Sequence, residues 1–245
     1  MSFQCRNNTR RSSGGQFRKS RGSIAPVRKD LPVIGRRGAI TTGIAFGVAS
    51  ASVAFSTGSA RAMTGAAGEG ARAFVCKFTD QAMAVMADHA MDAEQRLPRF
   101  RDVFVASFDL PAIGEAALGR HWREASADQQ VRFLQLFEQQ QVLIFAGRFR
   151  YICRNTMTVH SADAGFDGVW RIPSQVDRAN ASPIPVDWSV ATSLDGWRVI
   201  DLAIEGASMA FILRADFGAV LQTHGGRFDA LLTAMQSKID ELSAA

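Results

Sequence analysis

Histidine, cysteine and tyrosine are scarce in this 245-residue chain: four, three and one, respectively. The histidines, His89, His121, His160 and His224, fall on separate segments, and no Cys/His spacing matches a metal site. G-x-S-x-G, a glycine-rich phosphate loop after a strand and His-Glu-x-x-His are all missing. No catalytic constellation, metal site or cofactor is therefore expected, and the histidines read as surface or cap residues. Cys5 falls near the N-terminus, which leaves Cys76 on a helical segment and Cys153 at a strand edge. Those two positions give no geometric support for a disulfide, so two buried thiols are expected.

Acidic residues are almost absent from the first quarter of the chain. Residues 1–62 hold eleven Lys or Arg against one acid, Asp30, a net of +10. The remainder holds 28 − 11 = 17 basic and 23 − 1 = 22 acidic residues, a net of −5. The overall +5 thus belongs to the N-terminal segment, and a nucleic-acid partner for the rest loses its electrostatic support.

That segment has three parts. Residues 1–37 are rich in Arg, Ser, Gly and Asn and end in Arg36-Arg37. An uncharged, weakly apolar stretch runs from Gly38 to Ala60, and Ala60-Arg61-Ala62 supplies an Ala-x-Ala cut site. Positive region, apolar region and small-residue cut site together read as an export signal over residues 1–62, with a working domain at 63–245. The arginine pair before a weak apolar core resembles a twin-arginine signal. A retained membrane anchor and a start at Met63 are the competing readings.

The remainder reads as helices, then strands, then helices. Residues 70–95 carry Phe74, Phe78, Ala82, Val85 and Met86 near one helical face, and Pro98 punctuates. Phe100, Phe104 and Phe108 recur every fourth residue on a second helix. Asp109 suits an N-cap, Pro111 a first turn and Gly119 a helix end. Ser126 with Gln129 has capping-box spacing, and the helix it opens runs to about Phe149. Its apolar positions include Val131, Leu134, Phe137, Leu143, Ile144, Phe145 and Phe149. From Arg150 the period falls to two, giving strands at 156–161, 169–176, 184–190 and 197–204. Two helices, from Ser208 and Phe228, close the chain.

The hairpin around Leu194-Asp195-Gly196 can be read in register. A two-residue Asp-Gly loop pairs Trp188 with Ala203 and mixes the faces. A three-residue loop pairs Val186, Trp188 and Val190 with Ile204, Leu202 and Ile200, making one face wholly apolar; segregation favours it. Asp187 and Asp201 then share the other face. An acid/base pair there is weighed against carboxylates in solvent or paired with arginine, and the second reading is preferred. The predicted architecture is α+β: a curved antiparallel sheet of about four strands packed by N- and C-terminal helices.

Phe145, Phe149, Trp188, Val190, Ile200, Leu202, Phe211 and Phe217 are the candidates to wall an apolar cavity for a long-chain ligand. Each is equally compatible with plain core.

Several segments together resemble the MlaC family of periplasmic phospholipid-binding proteins, including its toluene-tolerance and hopanoid-associated HpnM branches. They are Phe108-Asp109-Leu110-Pro111, Leu118-Gly119-Arg120-His121-Trp122, the helix 129–149 and Pro185-Val186-Asp187-Trp188. Asp195-Gly196-Trp197-Arg198, Ile204-Glu205-Gly206-Ala207-Ser208, Arg214-Ala215-Asp216-Phe217 and Gly225-Gly226-Arg227-Phe228 complete the set. Phe145 departs from the pattern, standing where the family often has Tyr, and 151–176 is less typical.

The resemblance implies a nuclear-transport-factor-like cone with acyl chains between sheet and helices and no covalent chemistry. It implies a monomeric periplasmic carrier of phospholipid or another long-chain lipid, serving inner- and outer-membrane complexes of an ABC-type system. A cone-fold enzyme acting on apolar substrates and a groove-bearing adaptor are the alternatives. Arg214 and Asp201, within the family-like motifs, read as an ion pair or a helix–strand tie.

Overall fold

The computed structural model describes residues 57–244, with side chains from residue 65. Most of the expected export leader lies outside that range. The expected cut after Ala62 falls within the first helix, α1 (Thr57–Ala87).

Helix α2 (Ala93–Ser107) opens at Asp92, whose carboxylate accepts the Gln95 amide. Pro98 is inside this helix rather than at a break. The break is at residues 88–92, before the Asp92 cap. Helix α3 (Leu110–Leu118) is capped by Asp109 and carries Pro111 in its first turn. It ends at Gly119, whose φ of 56° is open to glycine at little cost. A single turn, α4 (Arg120–Glu124), leads to α5 (Ala127–Ile152). The Ser126–Gln129 capping box is fully formed in both directions.

The strands are β1 (Met157–Val159), β2 (Asp163–Ala164), β3 (Trp170–Arg178), β4 (Ala181–Ser193), β5 (Gly196–Ile204) and β6 (Ala207–Ser208). They form one antiparallel sheet in the order β1-β3-β4-β5-β6, with β2 also on β3. The chain ends in α6 (Met209–Thr223) and α7 (Phe228–Ser243). The fold is thus α+β, with an antiparallel sheet between helical segments as expected. The single turn α4 and the two-residue strands β2 and β6 are too short for periodicity to reveal.

The hairpin departs instructively from its expected register. Val186↔Ile204, Asp187↔Ala203, Trp188↔Leu202 and Ser189↔Asp201 pair as the three-residue loop requires. Nearer the turn the register shifts by one, to Val190↔Val199 and Ser193↔Gly196. The loop is the pair Leu194-Asp195, and Ile200 is the extra residue of a β-bulge. Val199 therefore joins the buried face in place of Ile200, which is only half-buried. The cause is tertiary. The junction of α2 and α3 pairs with β5 at this point through a Phe108–Val199 bridge, and the Asp109 amide donates to the Val199 carbonyl at 3.0 Å.

Cys153 is a buried free thiol, so it is not joined to half-buried Cys76.

Candidate functional site

One face of the sheet is buried throughout its central strands. Ile172, Ser174 and Val176 of β3 share it with Val186, Trp188 and Val190 of β4 and Val199 and Leu202 of β5. Its polar groups satisfy one another: Trp188 Nε1 donates to Ser174 Oγ at 2.7 Å, and that hydroxyl donates to the Val186 carbonyl at 2.9 Å. The indole is thereby fixed, and the remainder of the face is hydrocarbon and ring.

Helix α5 supplies the opposing layer through a row spaced every four residues: Phe133, Phe137, Gln141, Phe145 and Phe149, all buried. Rows at this spacing run obliquely along a helix and meet neighbours at both ends. At one end Phe145 and Phe149 join Phe78 of α1, Phe100 and Phe104 of α2, Phe108 and Trp188. Their ring centroids lie between 4.2 Å (Phe104–Phe108) and 6.5 Å (Phe108–Trp188) apart. At the other end Phe133 and Phe137 meet Phe217 of α6, and Phe133 also meets Phe228 of α7. Gln141 stands between the two clusters, 2% exposed, with no partner for its Nε2. The buried face of α5 is this row together with Leu136, Val142 and Ala146; Val131 is exposed, and Leu134, Leu143 and Ile144 are half-buried.

The eight sequence-nominated residues divide accordingly. Phe145, Phe149 and Trp188 belong to one aromatic cluster, and Val190 and Leu202 share the sheet face with Trp188. Phe217 belongs to the second cluster. Ile200 is displaced from the paired face by the bulge. Phe211, in the first turn of α6, is 73% exposed, because Met209 and Leu213 take the inward positions beside it. Reading α6 by apolar content alone did not separate these sides. Sequence reasoning also missed Ser174 and Gln141. The signal for Gln141 was available: a polar residue at the centre of a four-residue phenylalanine repeat.

The polar residues of the family-like motifs hold the frame. Asp201 accepts from Ser208 Oγ at 2.6 Å and from the Ala210 amide at 3.0 Å, tying β5 to the start of α6. Arg214 donates instead to the Ala116 carbonyl of α3 at 2.5 Å, so the two form separate ties and no mutual ion pair. Asp187 pairs with Arg171 at 2.8 Å. Among the described residues the buried polar side chains are Thr79, Ser107, Gln141, Thr158 and Ser174. None carries a carboxylate, an imidazole or an amine.

The sequence matches the family described as MlaC protein over residues 77–237, more than half of the chain. The chain belongs to the MlaC family. Among solved structures, this MlaC-family chain is similar to a phospholipid-binding protein from Ralstonia solanacearum in complex with a phospholipid, with a TM-score of 0.63. The two are 24% identical, and the match covers 71% of this chain and 98% of that one. That likeness establishes the shared fold. No curated protein matches the sequence.

Proposed function

We propose that this MlaC-family protein is a periplasmic lipid carrier. It accepts a phospholipid or hopanoid-like lipid at one membrane complex, crosses the aqueous gap and delivers it to another, as the soluble component of an ABC-type transport system. The observation that carries this reading is the seam between the sheet face and the phenylalanine rows of α1, α2 and α5. It offers desolvation and dispersion, with almost no polar group to satisfy. Phe145, Phe149, Trp188, Val190, Leu202 and Phe217 are its proposed walls, with Ile200 and Phe211 towards the rim. A bound phospholipid in the Ralstonia protein supports the same use of the fold here.

The magnitudes favour this use. Two acyl chains of roughly sixteen carbons gain on the order of 25 kcal/mol on leaving water, at about 0.8 kcal/mol per CH₂. Each ring contact parted to admit them is worth about 0.5–1.5 kcal/mol. So large a gain makes spontaneous release slow, and delivery therefore needs a partner that opens the seam. Among the described residues no helix is long and apolar enough to cross a membrane. Export through the signal read in residues 1–62, whether cleaved or kept as a tether, would place the domain between the membranes.

Native mass spectrometry of the purified protein with lipid extraction tests the reading. One lipid per chain is expected. A protein that carries none, and takes none up from vesicles, would sink it.

A further inference from the structure

The end of α5 carries charge of one sign. Residues 139–162 hold Arg148, Arg150 and Arg154 and no acid. Those three arginines and Tyr151 are exposed, whereas Phe145, Phe149 and Cys153 of the same turns are buried. Strand pairing adds a fourth arginine. The Asp177 amide donates to the Thr156 carbonyl at 2.9 Å, which sets Arg178, the last residue of β3, beside the segment that follows α5. The Arg178 guanidinium donates to the Ser182 carbonyl. None of the four arginines has a carboxylate partner among the described residues. The acid beside them, Asp177, accepts instead from Thr158 Oγ1 at 3.2 Å and from Gln175 Nε2 at 2.7 Å.

Charge and composition narrow the partner. The helix dipole accounts for Arg150, in the last turn of α5, but not for Arg178, which comes from another segment. Residues 63–245 carry a net −5, so the patch has the minority sign. An extended anionic surface is attracted here and repelled elsewhere, which selects one orientation. Tyr151, 58% exposed, stands among the arginines. Arginines around an exposed amphipathic ring match the head-group layer of a bilayer, where such rings collect and basic side chains meet lipid phosphates. The Arg148 guanidinium lies 5.1 Å from the centroid of the Phe145 ring, so the patch borders a wall of the apolar seam. A bilayer engaged here would meet that end of the seam.

We propose that Arg148, Arg150, Tyr151, Arg154 and Arg178 form a docking surface for an anionic bilayer. The proposal goes beyond the carrier reading and does not depend on it, because it concerns the membrane that the protein touches and not the lipid that it holds.

Tyr151 is the only tyrosine in the chain, so 3-fluorotyrosine labels the full-length protein within the patch and nowhere else. Its fluorine NMR signal is followed with vesicles of phosphatidylcholine, alone or mixed with phosphatidylglycerol, that contain a gadolinium-chelate lipid. Broadening beyond that given by a lanthanum-chelate control is expected with phosphatidylglycerol and not without it, and raised salt should remove it. This local signal separates the patch from residues 1–62, whose net +10 would also draw the chain to anionic vesicles. Arg150→Gln/Arg154→Gln should weaken the binding read at Tyr151 roughly twenty-five-fold, a factor of about five for each charge near the membrane surface. Arg120→Gln/Arg123→Gln, at α4, should change it far less. The side chains of Arg150 and Arg154 hold no hydrogen bond or ion pair among the described residues, so their variant should keep the wild-type melting temperature. Vesicle binding without paramagnetic broadening at Tyr151 overturns the proposal, as does no binding at all. Broadening that survives Arg150→Gln/Arg154→Gln, or that neutral vesicles give equally, also overturns it. A soluble poly-glutamate that shifts the signal where vesicles do not assigns the patch to an acidic protein and overturns the bilayer.

Discussion

Gln141 and Asp80 carry polar groups whose cost can be measured. The Gln141 amide is buried among phenylalanines with Nε2 unpartnered, and an unmade buried hydrogen bond costs about 1–3 kcal/mol. Gln141→Leu, of similar volume, is expected to raise stability by about 1 kcal/mol in urea unfolding; a fall would mean that the amide is satisfied in solution. Burial holds the Asp80 carboxyl above its ordinary range. The folded chain therefore binds this proton more tightly than the unfolded chain. The resulting stability is fully present at low pH and is lost as pH rises through the raised folded value. Asp80→Asn cannot ionise, so it should melt above wild type at neutral pH and alongside it below about pH 3. An Asn variant that melts lower at neutral pH would show that the ionised carboxylate has a favourable partner. At this scale Gln141 was legible in principle, as a break in a repeat. The partial burial of Asp80 was not, because nothing in the local pattern of α1 marks it.

Elements were legible where a local hydrogen bond defines them. Asp109 and Ser126 with Gln129 each cap the helix that their side chains suggest, because a side-chain oxygen two or three residues from an unpaired amide needs no tertiary help. Pro98 misled because a proline early in a helix sacrifices one bond and does not end it. How closely two helices approach is also outside local reach. A Cβ at Gly114 of α3 would stand 2.9 Å from Phe133 Cε1 and 3.2 Å from Phe137 Cδ1. Those rings are fully buried and stacked on each other at 5.5 Å, so neither can swing away. Gly114→Ala should cost about 1–3 kcal/mol by overpacking, read as a lowered melting temperature. Recovery in Gly114→Ala/Phe133→Leu would tie the loss to that contact, and an Ala variant as stable as wild type would show that α3 and α5 separate freely.

For the whole molecule, the apolar sheet face is the property on which the proposed lipid carriage depends. Leu202 is 3% exposed and pairs across the hairpin with Trp188. A folded Leu202→Glu protein should lose its lipid, because the carboxylate would either be desolvated beside the chains or draw water into the seam. Retention of lipid, measured by native mass spectrometry after circular dichroism has confirmed folding, would place the chains elsewhere. Net charge divides along the chain: residues 1–62 carry +10 and residues 63–245 carry −5, so the overall positive sign says little about what residues 63–245 bind.

The order of elements, their caps and the alternation that makes one sheet face apolar followed from the sequence alone. Each is set by backbone hydrogen bonding or by a period of two or four along the chain. The family-like motifs needed no structure either. Tertiary structure decided the rest. The bulge at Ile200 exists because the α2–α3 junction pairs with Val199, which exchanges two residues between faces. Phe211 is at the surface because Met209 and Leu213 point inward. Helices α3 and α6 meet across about a hundred positions, as the Arg214–Ala116 bond shows. Such contacts are settled by packing between distant segments, and no local periodicity encodes them.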